Sequence, residues 1–228
     1  HTRCIDRDFN RLWHDDLLAA DHVSVEGRRA HALLPLVRSV DRLLDLHSTW
    51  HAVLPFFVLP RLPRVQRLAD TLAVPPRQLC LPDFRHEGYH LIDYGAFSDP
   101  AADAIGLIAE CGQHFAVSSA AQAWQTSVRF LQVTGVIDED DAVGLGLVQT
   151  PPSPVERYEI VQPVIAMSDQ LRLACSYAGF VTFQAGAIAA FDRDVPVVAP
   201  FYPAVLLARP PARLAGQQAF PWGRKCAA

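Results

Sequence analysis

The stretch Ile105-Gly-Leu-Ile-Ala109 is a short apolar run, and Glu110-Cys-Gly-Gln-His114 follows it directly. A run of this length and composition is typical of a strand that is buried in a sheet. A second run, Arg42-Leu-Leu-Asp-Leu-His47, carries one acid and ends in a histidine. The two runs therefore predict two buried strands, each with polar side chains at its end.

Helical patterns alternate with these strands over the first two-thirds of the chain. The predicted helices are Glu26–Ser39, Leu62–Val74 and Val117–Val133. Pro35 is expected to bend or break the first helix, Pro63 suits the first turn of the second, and Gly135 ends the third. Asp99-Pro100 predicts a further helix start. Strands that alternate with helices indicate an α/β fold with a mostly parallel sheet covered on both faces.

The proline-rich segment Thr150-Pro-Pro-Ser-Pro154 interrupts this alternation and predicts a domain boundary. The expected division is a first domain over residues 1–149 and a small β-rich domain over residues 150–228. Short β-prone runs follow the boundary, at Tyr158–Val164, Ala178–Phe183, Ala187–Phe191, Val195–Ala199 and Ala204–Ala208.

Composition excludes several classes of protein. The chain has 228 residues and a formal net charge of −4, without the basic stripe of a nucleic-acid-binding protein. No apolar stretch approaches the roughly 20 residues of a membrane span, and the first residues lack the apolar core of a signal peptide. The five cysteines are far apart and odd in number, which favours reduced thiols and a cytoplasmic location.

The first candidate site lies in the segment Arg3-Cys-Ile-Asp-Arg-Asp-Phe-Asn-Arg11. Arg11 and Asn10 can clamp a carboxylate, because a guanidinium group meets a carboxylate in bidentate geometry. Asp6 or Asp8 can hold an arginine in place. The alternative is a solvated surface loop with ion pairs of its own.

The second candidate site is Asp45-Leu-His47. Residues i and i+2 of a strand share a face, so Asp45 and His47 are expected to point the same way. An imidazole at a strand end suits zinc, and a nearby carboxylate is its usual hydrogen-bond partner. The alternative is a structural histidine. His51 lies four residues on, but the segment lacks the glutamate of an H-E-x-x-H helix.

The third candidate is Glu110. Partial desolvation raises the pKa of a carboxyl group, which suits it to general-base catalysis, and Gly112 allows close approach of another group. The alternative is a strand-terminal ion pair or a helix cap. Cys111 is set aside as a nucleophile, because no histidine and asparagine are placed to activate it.

In this order, the three segments resemble the motifs of the aspartoacylase/succinylglutamate desuccinylase family, which is related to the zinc carboxypeptidases. The family carries R-D-x-N-R, D-L-H and E-x-G-x-x segments, which match Arg7–Arg11, Asp45–His47 and Glu110–His114. The resemblance covers nearly the whole chain. It implies a carboxypeptidase-like α/β fold, with a mostly parallel or mixed sheet flanked by helices, followed by a small β-rich domain.

The resemblance also implies a function: zinc-dependent hydrolysis of an amide bond in an N-acyl amino acid or a similar carboxylate-bearing small molecule. By this resemblance His47 is a zinc ligand and Glu110 is the general base. Asn10 and Arg11 grip the substrate carboxylate, and Arg3 stabilises the oxyanion. Asp45 and Asp8 are the expected supporting carboxylates.

One family motif has no match in this sequence. Two further zinc ligands of the family come from an H-G-x-E motif that precedes the arginine cluster, but none of the nine histidines here has a glutamate three residues later. The expectation is therefore that roughly 50 residues, about one βαβ unit, precede His1 in the complete protein. His47 alone is too weak a zinc site.

Two alternatives stay open on the same fold: a non-catalytic carboxylate-binding or assembly module, and a peptidase of the carboxypeptidase type. The acyl group is not fixed, since Tyr94, Tyr177 and Tyr202 are only candidate substrate contacts and no motif selects among them. The sequence leaves the oligomeric state open, with a homo-oligomer as one outcome.

Overall fold

The computed structural model describes residues 4–81, 88–149, 153–174, 179–207 and 214–226. The helices are α1 Asp15–Ala20, α2 Val25–Ser39, α3 Pro63–Leu72, α4 Val117–Val133 and α5 Glu139–Gly144, with 3₁₀ turns at Phe9–Arg11, Leu91–Asp93 and Gly95–Phe97. The strands are β1 Arg42–Thr49, β2 Phe56–Leu59, β3 Arg77–Cys80, β4 Ile105–Gln113, β5 Glu156–Ile165, β6 Leu171–Leu173, β7 Val181–Phe183, β8 Ile188–Asp192, β9 Val195–Val198, β10 Ala204–Leu206 and β11 Gln218–Lys225.

Eight strands form one mixed sheet in the order β1-β4-β2-β3-β5-β11-β10-β7. The pairs β1/β4, β2/β3 and β3/β5 are parallel, whereas β2/β4 and the pairs beyond β5 are antiparallel. Strands β6, β8 and β9 form a smaller antiparallel sheet. The α/β fold class predicted from the sequence, with a mixed sheet flanked by helices, is confirmed.

The two faces of the large sheet bury different clusters. Leu107 and Ala109 of β4 point to the face on which α3 and α4 pack, together with Phe57 of β2. Ile108 points to the opposite face and joins Phe56 and other apolar side chains there. Because side chains alternate along a strand, Glu110 belongs to the same face as Ile108. Helices α3 and α4 thus fill one face, and the polar site described below lies on the other.

Helices α3 and α4 confirm the helical patterns, and Pro63 occupies the first turn of α3. Two local predictions were wrong. Helix α2 continues through Pro35 to Ser39, so the proline does not break it. No helix starts at Asp99-Pro100, because the Asp99 carboxylate accepts a hydrogen bond from the Ala101 amide in a single turn.

The β-rich character of the last third is also present, and β5 continues the large sheet by pairing with β3. Residues 150–152 of the expected boundary lie outside the described residues, so the two-domain division stays a prediction. Within the described part of the chain, no helix is both long and apolar enough to cross a membrane.

Two acidic side chains anchor the arginine-rich segment to α2. The Glu26 carboxylate accepts hydrogen bonds from the backbone amides of Ile5, Asp6 and Arg7, at 2.6, 3.1 and 3.3 Å. Asp21 accepts a hydrogen bond from the Ser24 hydroxyl at 2.6 Å and pairs with Arg7 at 3.2 Å. Hydrogen bonds from Ser24 lower the pKa of Asp21 to about 2, and the amide of Ile5 is the main cause of a lowered pKa at Glu26.

We expect Phe57→Ala to lower the free energy of unfolding by about 3–5 kcal/mol, because the ring is fully buried and its removal leaves a cavity. The matched control is Phe115→Ala, whose ring is 81% exposed and whose loss is expected to change stability by less than about 0.5 kcal/mol. Urea denaturation of both variants checks this, and equal effects would contradict the assignment of the core.

We expect Asp21→Asn to destabilise the chain at neutral pH and to have a smaller effect in acid. The pKa of Asp21 is lower in the folded than in the unfolded chain, so its carboxylate contributes stability above pH ~4 that is lost as the pH falls towards 2. Denaturation of wild type and variant between pH 7 and 2 measures the difference. Asp103→Asn, at an exposed position, is the control. A pH-independent difference at Asp21 would refute the anchoring role.

Candidate active site

The pairing of β1 with β4 places His47 beside Glu110. The two residues are direct cross-strand partners in the parallel register. His47 Nδ1 lies 3.9 Å from Glu110 Oε1, and both side chains are about four-fifths buried. A histidine and a glutamate that lie more than 60 positions apart in the sequence thus share one partly desolvated spot on the sheet.

Asp45 fixes the orientation of the His47 ring. Asp45 Oδ2 lies 3.0 Å from His47 Nε2, as expected for residues i and i+2 on one face of a strand. In the tautomer that donates the Nε2 proton to Asp45, the lone pair of the ring is on Nδ1, the nitrogen that faces Glu110. The arrangement leaves Nδ1 oriented as a metal ligand or a proton acceptor would be.

Asn10 lies against the same imidazole. Its side-chain nitrogen is 3.4 Å from His47 Nε2, and its side-chain oxygen accepts a hydrogen bond from the Leu91 amide at 3.0 Å. Asp8 caps the 3₁₀ turn that carries Asn10, since its carboxylate accepts a hydrogen bond from the Asn10 amide. Asn10 is therefore held from both sides, by its own turn and by the segment that contains Leu91.

The segment from Gly88 to Asp93 was not predicted to take part in the site. Gly88 has φ +101°, and a Cβ there would lie 2.6 Å from the Arg11 carbonyl oxygen, so only glycine allows this approach. The next residue, Tyr89, forms a bridge to Leu12. His90 and Asp93 cap a 3₁₀ turn, with His90 Nδ1 3.0 Å from the Asp93 carboxylate. In the sequence, only Gly88 signals this close contact.

The predicted site residues have different outcomes. The structure brings together Asn10, Asp45, His47 and Glu110, whereas Arg3 lies outside the described residues. Arg11 adjoins the group and donates a hydrogen bond to the Asn10 carbonyl at 2.8 Å. Asp6 and Asp8 accept hydrogen bonds from backbone amides, and it is Asp21 that pairs with an arginine of this segment.

Two further side chains named in the sequence have structural roles. Burial raises the pKa of Cys111 to about 11, which disfavours the thiolate a nucleophile requires. The buried Tyr94 hydroxyl accepts hydrogen bonds from Arg38 and donates one to Asp15. Tyr202 is exposed, and Tyr177 lies outside the described residues.

The donor set was compared with the needs of a zinc ion. Catalytic zinc has three protein ligands, usually histidines and carboxylates. In the described ranges, no group of three or more His, Cys, Asp or Glu side chains is arranged to hold a metal ion. His47 with its Asp45 partner fits one ligand position, but these residues alone do not form a zinc site.

A cavity of about 350 Å³ opens on the same sheet face, and the strands that line it, β3, β5, β11, β10 and β7, lie three to seven strands away from β1. Its lining residues are Leu54, Arg77, Glu156, Tyr158, Gly179, Phe180, Thr182, Pro203, Val205 and Lys225. No sequence pattern predicted this cavity, because its walls come from strands that only the fold brings together.

Comparison with known proteins gives matches among solved structures alone. A scan against protein-family models finds no match, and neither does a search of curated proteins. Succinylglutamate desuccinylase from Vibrio parahaemolyticus matches with a TM-score of 0.67 and 19% identity, over 99% of this chain and 67% of its own. A succinylglutamate desuccinylase/aspartoacylase from Rhodobacter sphaeroides has a TM-score of 0.63, 15% identity, and coverage of 100% and 71%.

Murine aminoacylase 3 is a third match, with a TM-score of 0.66 and 14% identity, over 98% of this chain and 78% of its own. The chain thus spans about two-thirds to four-fifths of the length of these structures. The likeness extends over nearly all of this chain, including the β-rich last third. The family resemblance predicted from the motifs is confirmed at the level of the fold: this chain folds as the succinylglutamate desuccinylase and aspartoacylase structures do.

Proposed function

We propose that this protein hydrolyses the amide bond of an N-acyl amino acid or a similar carboxylate-bearing amide, with Glu110 as the general base. The observation that carries the proposal is the contact of His47 Nδ1 with Glu110, while Asp45 and Asn10 both contact the other ring nitrogen, Nε2. A carboxylate in a partly buried site beside an imidazole can take a proton from water as the water attacks the amide carbonyl.

The names of the matched structures support the reaction class. They describe a desuccinylase, a desuccinylase/aspartoacylase and an aminoacylase. A shared fold does not transfer activity by itself. The proposal therefore depends on the fold and the local geometry together, since Glu110 and His47 are matched to the motifs and meet in space.

The substrate carboxylate is assigned to Asn10 and Arg11. Asn10 contacts the imidazole of His47, so a group bound beside it lies close to the reacting amide. The Arg11 guanidinium donates to a backbone carbonyl and forms no ion pair with an acid of the described residues. It is therefore available for a ligand carboxylate, which it can meet with two parallel hydrogen bonds.

Zinc is proposed as the cofactor of the whole protein, with His47 as one ligand through Nδ1. Bound zinc would supply a Lewis acid and lower the pKa of its water. Since the described residues offer one ligand position, the other ligands have to come from elsewhere in the complete protein. Elemental analysis of protein made from the full coding sequence tests the assignment: about one zinc per chain supports it, and zinc far below that stoichiometry refutes it.

A non-catalytic carboxylate-binding module is the second candidate. It is favoured by the incomplete donor set around His47 in the described ranges. Under this alternative Asn10 and Arg11 bind small carboxylates, while Glu110 has no role in turnover. Replacement of Glu110 therefore distinguishes the two functions.

We expect Glu110→Gln to lower kcat for N-acyl amino acid hydrolysis by about 10²–10⁴-fold, because the glutamine side chain cannot accept the proton of the attacking water. Affinity for the product amino acid, measured by calorimetry, should change little. The control is Glu139→Gln on the exposed surface of α5. Unchanged turnover in Glu110→Gln would refute the catalytic assignment and support the binding module.

We expect Arg11→Lys to raise KM about tenfold while kcat changes less, since an ammonium group keeps the charge but loses the bidentate geometry. Steady-state kinetics with one N-acyl amino acid and with the matching N-acyl amine, which lacks the carboxylate, checks the assignment. The amine should be insensitive to the change. An equal effect on both substrates would show that Arg11 does not contact the carboxylate.

A further inference from the structure

The cavity on the β-rich side of the large sheet has an unusual combination of charges. Arg77 Nε lies 3.2 Å from one oxygen of Glu156, and Lys225 Nζ lies 2.7 Å from the other. Two cations therefore share one carboxylate, which leaves the charged wall of the cavity with a net charge of +1. An anion entering the cavity would balance this charge.

The rest of the cavity is apolar or aromatic. Phe180 packs against Tyr158 with ring centroids 4.9 Å apart and ring planes tilted by 51°, and Leu54 and Val205 line the same space. At about 350 Å³ the cavity lies within the range of small-molecule sites. The ligand it fits is an anion carried on an apolar or aromatic body.

The register of the sheet connects this cavity to the candidate active site. Glu110 pairs with Phe56 across β4 and β2, and the next strand pairs Phe57 with Gln78, so Arg77 lies beside Phe56. Arg77 in turn pairs with Glu156. These residues form one row on one sheet face, and two interstrand spacings, about 10 Å, separate the Glu110 and Arg77 backbones.

Lys225 is the one lysine of the sequence, against 19 arginines among the 20 basic residues. It is held against Glu156 and lies 6.0 Å from the centroid of the Tyr158 ring. The hydrogen bond to Glu156 raises the pKa of Lys225, so the amine stays protonated. It therefore acts as a cation in the cavity and not as a nucleophile.

We propose that this cavity is a second anion-binding subsite, which receives the far end of the substrate's acyl group. The acyl group it selects has a bulky apolar or aromatic body that ends in a carboxylate, which Arg77 and Lys225 bind together. A short acyl chain such as acetyl cannot reach from an amide at Glu110 across two strands. The binding site stands on the cavity alone, whereas its assignment to the acyl group rests on the proposed hydrolase function.

The binding site is tested without turnover. Reductive methylation with ¹³C-formaldehyde labels Lys225 and keeps its charge, and the resonance of Lys225 is assigned by its absence from the spectrum of the Lys225→Arg variant. Titration with phenylacetate should shift the labelled resonance to saturation, and benzyl alcohol, a neutral ligand of similar size, should not. A resonance that does not respond to millimolar phenylacetate, or that responds equally to both ligands, would overturn the proposal.

Three variants test whether the charges of the cavity raise or lower the affinity for phenylacetate as the proposal requires. Arg77→Met should weaken phenylacetate binding about tenfold, and Glu156→Gln should tighten it, because the first removes a cation and the second removes the competing carboxylate. The matched control is Arg61→Met, which breaks an Arg–Glu pair with Glu159 of the same strand, on the opposite face. Binding that falls in Glu156→Gln, or that changes equally in Arg61→Met, would refute the site.

The acyl assignment is tested by kinetics with two substrates that share one amino acid, an N-acetyl derivative and an N-(4-carboxyphenyl)acetyl derivative. Lys225→Met should raise KM for the second substrate alone. An equal rise for both, or none, would overturn the acyl assignment. Failure of the hydrolase function is a separate result: neither substrate would be turned over, while phenylacetate would still bind in the titration.

Discussion

The parallel pairing of β1 with β4 is the constraint on which the candidate site depends. It sets His47 directly opposite Glu110, and the alternation of side chains adds Asp45 to the same face. Leu107 and Ala109 are fully buried against the helices on the opposite face, so a slip of one residue would expose them and bury the charged groups instead. The burial of Leu107 and Ala109 thus fixes the geometry of the polar site, although neither side chain takes part in that site.

A second constraint brings Asn10 to this strand pair. The segment before it has little regular structure, and buried or half-buried hydrogen bonds replace a helix or strand in holding it. Glu26 gathers three consecutive amides, and the Leu91 amide holds the Asn10 side chain. These hydrogen bonds hold the segment before Asn10 at Glu26 and the Asn10 side chain at Leu91. Asn10 therefore has a fixed position although it does not lie on a long helix or a strand.

The sequence predicted the elements with strong periodicity and the order of the site residues. Apolar spacing identified α3 and α4, and short apolar runs identified β1 and β4. The sequence-based predictions were wrong where a local signal competes with packing. Helix α2 is not broken at Pro35, and Asp99 caps a single turn where a helix was expected to start. Such signals describe the chain one residue at a time, whereas packing decides between outcomes of similar local energy.

Long-range contacts were beyond the reach of the sequence for a different reason. Gly88 meets Arg11 from 77 positions away, and Lys225 meets Glu156 from 69 positions away; no periodicity links either pair. The second contact follows from strand order, since β11 pairs with β5, whereas the first joins two segments outside the sheet. His47 and Glu110 lie on β1 and β4, near one edge of the sheet, where apolar runs in the sequence predicted the strands. The cavity residues lie on strands whose pairing no sequence pattern predicted.

This division bears on what the likeness to solved structures means. The likeness to these structures, at 14–19% identity, is one of fold alone. In this chain a row of residues on one sheet face runs from His47 through Glu110 to Arg77, and Glu156 and Lys225 near its far end come from different strands of the last third. Under the two proposals made above, the β1/β4 edge with its motif residues carries the reaction class, and the cavity selects the acyl group. Two proteins with this fold can share the first and differ in the second, because the sheet face positions both sites but specifies the residues of neither.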